Sequence, residues 1–111
     1  MGMALKKIER MDELKEILNY EGKFLLFKHS LTCPISQKAF DQFNQYLEDH
    51  PEIDGYYLTV QESRPLSNYI EAYFSIQHES PQIFHIHCGS VKWHTSHENI
   101  TKETINHALL S

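Results

Sequence analysis

The string Thr32-Cys33-Pro34-Ile35-Ser36 contains the side chains of this sequence best suited to chemistry. Pro34 lacks a backbone N–H and suits the first position of a helix, which makes Cys33 the residue that caps that helix. The N–H groups of Ile35 and Ser36 and the positive end of the helix dipole are then expected to favour the thiolate of Cys33. A thiolate is the nucleophilic form of cysteine, although a cysteine buried for packing would fit the same five residues.

Composition limits the classes of protein to which the chain can belong. With 111 residues, 41% of them hydrophobic, we expect a single domain, 1–111, that buries its own core. The net charge of −5 comes from mixed acids and bases without a basic block, so no nucleic-acid partner is expected. No apolar run approaches the roughly 20 residues of a membrane span, and we find no secretion signal. We therefore expect a cytoplasmic protein without a membrane partner, in which residues 1–3 are flexible or a remnant of an expression vector.

Alternating helices and strands are predicted to position the cysteine. Helices linking two strands make those strands parallel, whereas a tight hairpin adds an antiparallel pair. The pattern therefore indicates an α/β fold of thioredoxin-like topology, with a mixed central sheet and helices on both faces. The predicted elements are an edge strand at 4–8, a helix at 12–20, a central strand at 23–28, a helix at 34–50, a strand at 55–60, a helix from 65, strands at 82–87 and 91–95, and a helix capped by Thr101.

Four motifs in this order resemble the monothiol bacilliredoxin family of YtxJ type, over about Ile8 to Leu110. They are Lys28-His29-Ser30, Thr32-Cys33-Pro34-Ile35-Ser36, His78-Glu79-Ser80-Pro81-Gln82 and Trp93-His94-Thr95-Ser96-His97. The resemblance implies a thioredoxin fold, a place in the bacillithiol redox system, and Cys33 as the active cysteine. It also places Ser36 where dithiol relatives carry a resolving cysteine. A hydroxyl there can hydrogen-bond the thiolate but cannot attack a disulfide, so an external thiol must release a mixed disulfide.

The resemblance implies a thiol–disulfide oxidoreductase that removes bacillithiol from S-bacillithiolated proteins through a mixed disulfide on Cys33. Bacillithiol would be a co-substrate, and no tightly bound cofactor is expected. The Ser80-Pro81 loop, with a cis proline, would lie against the cysteine and offer main-chain hydrogen bonds to an extended substrate. Thr32, Pro34, Ser80 and Pro81 are therefore the expected substrate-binding residues.

Three basic residues are candidates for lowering the pKa of the active thiol through positive charge. Lys28 and His29 come just before the loop, and Lys38 lies one turn into the helix. We expect His29 to belong to the site. For Lys38, a solvated helix face is an equally good interpretation.

Cys88 and a group of histidines suggest other chemistry. Cys88 follows Pro81 by seven residues of strand, about 23 Å at roughly 3.3 Å per residue. A disulfide needs Cα atoms within about 7 Å, so Cys88 is predicted to be a turn residue at the far end of the sheet. In a tight hairpin His85 would lie opposite His94 and share a face with His87, and His97 follows. These residues lack the spacing of a zinc site, so no metal is predicted.

Two rival functions fit the same residues. One is a monothiol glutaredoxin-like carrier that binds an iron–sulfur cluster through Cys33 and a thiol cofactor. The other is a redox-inert thioredoxin-like domain that binds a protein partner through the Ser80-Pro81 edge.

Overall fold

Five strands and four α-helices alternate along the chain. The structure is a computed structural model that describes residues 5–110, so the expectation for residues 1–3 lies outside the described residues. The elements are β1 (Leu5–Lys7), α1 (Met11–Leu18), β2 (Lys23–His29), α2 (Pro34–Asp49), β3 (Asp54–Thr59), α3 (Arg64–Phe74), β4 (Gln82–His87), β5 (Ser90–Ser96), a short 3-10 helix (His97–Asn99) and α4 (Lys102–Leu110).

The strands form one mixed sheet in the order β1-β3-β2-β4-β5. Strands β1, β3 and β2 run parallel, whereas β4 is antiparallel to both β2 and β5. Strand β2 lies in the middle, and every residue after Lys23 in it is buried. The predicted α/β fold and its mixed central sheet are confirmed. None of the described helices is long and apolar enough to cross a membrane.

The central strand β2 divides the core into two halves because successive side chains point to opposite faces of a sheet. Phe24 and Leu26 pack on the face covered by α1 and α3. Leu25 and Phe27 pack on the other face, against α2 and α4. The same alternation sends the next two residues, Lys28 and His29, to different faces.

The register of β2 and β4 defines the end of the sheet at which chemistry is expected. Lys28 pairs with Gln82 at one end of the two strands, and Lys23 pairs with His87 at the other. The loop that carries Cys33 and the segment that ends at Pro81 therefore leave neighbouring strands at the same end.

Cys88 lies at the opposite end of the sheet, in the turn between β4 and β5. It is exposed, and both it and Cys33 are free thiols. Its backbone is left-handed (φ 54°), as is that of Gly89 (φ 77°), which is the conformation that tight hairpin turns demand.

The hairpin corrects one expectation about the histidines. Trp93 is the register partner of His85, and His94 is the partner of Phe84. Because paired residues share a face of the sheet and neighbours along a strand alternate, His94 lies on the face of Phe84 and not on that of His85. His85 and His94 therefore do not face each other.

Candidate active site

Cys33 caps α2 as predicted, because Pro34 takes the first helical position. The backbone of Cys33 is extended (φ −110°, ψ 118°), and its C=O accepts a hydrogen bond from Gln37 N–H at 3.1 Å. The residue is half-buried. The thiol itself makes no capping hydrogen bond, so the expected donation from Ile35 and Ser36 N–H is not seen.

The hydroxyl of Ser36 holds the loop before Cys33. Ser36 is fully buried, and its Oγ accepts a hydrogen bond from Ser30 N–H at 2.8 Å. The hydroxyl proton is then free to be donated to His29 Nδ1, which lies 2.8 Å from Oγ. Ser36 projects inward from the first turn of α2 toward the end of β2, and its expected hydrogen bond to the Cys33 thiolate stays a prediction.

His29 is a neutral packing residue, which corrects the expectation that it adds positive charge near the thiol. Its ring stacks on Phe40 with centroids 4.7 Å apart, and its exposed fraction is 6%. Burial lowers the pKa of His29, and the Asp41 carboxylate opposes this effect only in part. The hydrogen bond from Ser36 uses Nδ1 as an acceptor, which leaves the ring proton on Nε2.

Lys28 points to the other face of the sheet and is fully buried there. Its Nζ lies 3.1 Å from His78 Nδ1 and over the ring of Phe84. Burial lowers the pKa of Lys28 to about 8, although the Glu71 carboxylate acts in the opposite direction. The ammonium therefore supports the segment that precedes Pro81, and this corrects the expectation that it serves Cys33.

The segment before β4 is tied to the chain that follows β5. The Ser80–Pro81 peptide bond is cis, and Pro81 is buried. Pro81 C=O accepts a hydrogen bond from His97 N–H at 3.1 Å, and Glu79 Oε1 lies 3.2 Å from His97 Nε2. Ser80 differs from its neighbours because its buried Oγ has no hydrogen-bond partner among the described residues.

Gln61 fixes the loop before Cys33, and the sequence contains no motif that marks it. Its Oε1 accepts from Leu31 N–H at 3.0 Å, while its Nε2 donates to Ser30 Oγ at 2.9 Å and to Thr32 Oγ1 at 3.3 Å. Gln61 lies just after β3, whose parallel pairing with β2 brings the two loops together. This contact can be predicted only when the strand order is known, and the sequence alone does not give that order.

The remaining predicted residues have different surroundings. Thr32, Pro34 and Ile35 are exposed around Cys33, where a substrate can reach them. Across residues 5–110, no three His, Cys, Asp or Glu side chains are grouped so that they could hold a metal ion.

Comparison with known proteins assigns the family. A family model described as monothiol bacilliredoxin BrxC matches residues 6–105. The chain belongs to the monothiol bacilliredoxin family. The cysteine loop, Ser36 and the Ser80–Pro81 segment all lie inside the matched residues.

Solved structures support the fold of this bacilliredoxin. One, described as having a thioredoxin fold, is 37% identical, covers 96% of this chain and 94% of its own, and superposes with a TM-score of 0.89. Mitochondrial thioredoxin 3 from Saccharomyces cerevisiae is 10% identical, with 96% and 94% covered and a TM-score of 0.76. Thioredoxin from Trypanosoma brucei brucei is 9% identical, with 94% and 86% covered and a TM-score of 0.76. The two thioredoxins show the fold alone, whereas the family supports thiol–disulfide exchange as the class of reaction.

Proposed function

We propose that this bacilliredoxin removes bacillithiol from S-bacillithiolated proteins through a mixed disulfide on Cys33. The main support for the proposal is the pairing of a reactive thiol at Cys33 with a hydroxyl, rather than a second thiol, at Ser36. Cys33 is a half-buried thiol at the start of α2, and the residue three positions later is a buried hydroxyl held by Ser30 and His29. The site therefore has one sulfur that can react and no second sulfur to displace what it binds.

In the first step, the Cys33 thiolate attacks the bacillithiol sulfur of the modified protein. A new S–S bond forms between Cys33 and bacillithiol, and the original S–S bond breaks. The cysteine of the target protein leaves with the electron pair of the broken bond and takes up a proton. The target is thereby reduced, and Cys33 is oxidised to a mixed disulfide.

In the second step, free bacillithiol regenerates the enzyme. Its thiolate attacks the bacillithiol sulfur bound to Cys33, so bacillithiol disulfide forms and the Cys33 thiolate leaves. Ser36 takes no part in this step, since a hydroxyl cannot act as the attacking sulfur. The proposed reaction needs a compartment that keeps thiols reduced, so we place it in the cytoplasm.

The Ser80–Pro81 segment is proposed to bind the extended chain of the target protein. The N–H and C=O of Ser80 make no backbone hydrogen bond to other described residues, and its hydroxyl has no partner among them. Unpaired main-chain groups next to a strand are what an added peptide strand uses. Pro81 contributes less directly, since its C=O is already bonded to His97.

The proposal is tested by following the bacillithiol adduct. The reduced protein is incubated with a bacillithiolated target, and both proteins are analysed by intact and peptide mass spectrometry. We expect the adduct to appear on Cys33 as it leaves the target, and to be released as bacillithiol disulfide when free bacillithiol is added.

Two cysteine variants complete this experiment. Cys33→Ser should leave the target modified, whereas Cys88→Ser should transfer the adduct as fast as the unmodified protein, because Cys88 is at the other end of the sheet. A target that stays modified with no adduct on Cys33, or an adduct on Cys88 instead, would refute the proposed function.

A further inference from the structure

His97 has a left-handed backbone at the end of the sheet that carries the site. Its φ is 57°, and it begins the short 3-10 helix that follows β5. This conformation is unfavourable for a residue with a Cβ atom, although histidine adopts it more often than most residues do. Residues held in it cluster at functional sites, where the surrounding contacts maintain them.

Two other non-glycine residues in the described part of the chain have a positive φ, and each has a local explanation. Ser75 ends α3, where a left-handed residue closes the last turn of a helix. Cys88 lies in the tight turn between β4 and β5, which needs the same conformation. His97 is in neither kind of place, so the explanation must come from its contacts.

His97 holds the residues on both sides of Ser80. Its N–H donates to Pro81 C=O at 3.1 Å, and its Nε2 lies 3.2 Å from Glu79 Oε1. A proton on Nε2 can be donated to a carboxylate whether the imidazole is neutral or charged. One residue thus connects the chain after β5 both to the residue before Ser80 and to the residue after it.

Glu79 is also fixed from inside the protein. Its N–H donates to Gln82 Oε1 at 3.2 Å, and Gln82 Nε2 donates to Gln77 C=O at 3.0 Å. Gln82 is fully buried, whereas the contact between Glu79 and His97 is partly exposed. The segment before Pro81 is therefore held on two sides, and Ser80 is the residue in it whose buried hydroxyl has no partner among the described residues.

We propose that His97 is a positioning residue that holds the main chain of Ser80 ready for the extended chain of a target protein. The inference rests on the proposed function, in which that main chain pairs with the target. Its left-handed backbone lets one residue reach Pro81 and Glu79 together. A segment that is already ordered binds its partner without the free-energy cost of ordering it first.

The test compares a bacillithiolated protein with bacillithiol disulfide. Both deliver bacillithiol to Cys33 and release a thiol, so mass spectrometry follows the same adduct, but only the first has an extended chain to pair with Ser80. The variant is His97→Gly, because glycine keeps the left-handed backbone and the N–H while the imidazole is lost.

We expect His97→Gly to need about three- to fivefold more bacillithiolated protein for its half-maximal rate, which is what a partly exposed ion pair can contribute. Its maximal rate should not change. With bacillithiol disulfide, its rate should equal that of the unmodified protein.

Two further variants separate positioning from a general effect on the fold. His97→Gln keeps a donor at the position of Nε2 and should recover most of the loss. Glu79→Ala should cause the same loss as His97→Gly, and the double variant should be no worse than either, because both changes break one contact. Glu79→Ala also tests the contact if thermal unfolding shows that His97→Gly does not fold.

The matched control is Cys88→Gly, which replaces another left-handed residue with glycine at the far end of the sheet. It should react with both substrates as the unmodified protein does. The proposal is wrong if His97→Gly needs no more bacillithiolated protein than the unmodified protein, or if the losses in the double variant add. It is equally wrong if bacillithiol disulfide is slowed by the same factor, since His97 would then act on the thiol or on bacillithiol.

These outcomes are separate from the fate of the proposed function. Failure of the unmodified protein to take up bacillithiol from either substrate would overturn the function itself. Normal uptake that is insensitive to His97 and Glu79 would overturn the positioning role and leave the function standing.

Discussion

Lys28 Nζ lies 3.1 Å from His78 Nδ1 and joins the end of β2 to the segment that leads into Pro81. His78 Nδ1 also lies 3.2 Å from Ser67 Oγ, and His78 N–H donates to Glu71 Oε2 at 3.0 Å. Burial, followed by the nearby Lys28 charge, lowers the pKa of His78. A neutral imidazole can therefore accept a hydrogen bond at Nδ1, where Lys28 Nζ and Ser67 Oγ share its single lone pair. The buried lysine thus fixes the loop opposite the thiol without touching it.

Replacing this lysine with methionine should change how stability depends on pH. Burial lowers the pKa of Lys28 from 10.5 to about 8, so the unfolded chain binds more protons between these values. The free energy of unfolding should therefore rise as pH increases from about 8 to 10.5, by about 3 kcal/mol from this residue. Urea denaturation at pH 7.5 and 10.5 should show this rise in the unmodified protein and lose it in Lys28→Met.

The same substitution at Lys23 provides a control, because Lys23 starts β2 on the surface. Lys23→Met should keep the rise between pH 7.5 and 10.5. An equal rise in Lys28→Met and in the unmodified protein would show that the buried ammonium is not its source.

Removing the hydroxyl of Ser36 should destabilise the protein and loosen the cysteine loop. Ser36→Ala leaves Ser30 N–H and His29 Nδ1 without their partner in a buried place, which costs about 1 to 3 kcal/mol. Chemical denaturation measures this loss.

Ser36→Cys should supply a resolving thiol, so that the bacillithiol adduct on Cys33 is released without free bacillithiol. An adduct on Ser36→Cys that lasts as long as on the unmodified protein would contradict this expectation.

Gln61 should affect the rate of transfer more than stability. Gln61→Ala removes three hydrogen bonds to the loop before Cys33 from an exposed position, so the free energy of unfolding should fall by about 1 kcal/mol or less. We expect adduct transfer to Cys33 to slow several-fold because the loop is less well ordered. Gln61→Glu keeps an acceptor for Leu31 N–H and should recover part of the rate. Transfer at the unmodified rate in Gln61→Ala would show that the loop needs no such support.

His85 should make the protein sensitive to acid. Both ring nitrogens are buried without a hydrogen-bond partner among the described residues, and burial is the main cause that lowers the pKa of His85 from 6.5. As pH falls, His85 is therefore protonated in the unfolded chain before it is protonated in the folded protein. The free energy of unfolding should fall as pH drops below about 6.5. His85→Leu should be more stable by about 1 to 3 kcal/mol at pH 7, with a smaller loss at pH 5 in urea denaturation.

The exposed His87 serves as the comparison for this prediction. His87→Leu should change neither the stability at pH 7 nor the loss at pH 5 by much. A His85→Leu variant that is less stable than the unmodified protein would mean that the imidazole does have a partner in solution.

Local patterns in the sequence were enough to predict the elements that carry the site. The apolar run of β2 and the proline after Cys33 depend on neighbouring residues alone, and both were interpreted correctly. Thr101 was also predicted correctly as a cap, since its Oγ1 accepts from Thr104 N–H at 3.1 Å.

Long-range contacts account for what the sequence could not reveal. Lysine is rarely buried, and the partner that makes burial of Lys28 possible is 50 residues away. Ser36 was expected to serve the thiol because the family resemblance places it where dithiol relatives carry a resolving cysteine. Its contacts with Ser30 and His29 depend on how the cysteine loop folds back on the end of β2. The role of Gln61 could not be predicted either, because only the pairing of β2 with β3 brings it to the loop before Cys33.

The buried hydroxyl at position 36 has a kinetic consequence under the proposed reaction. A resolving cysteine in the same molecule would release bacillithiol from Cys33 at a rate that does not depend on the concentration of free thiol. Here the lifetime of the loaded state shortens in proportion to the free bacillithiol around it. The occupied fraction of this protein would therefore serve as a gauge of the thiol reserve of the cell.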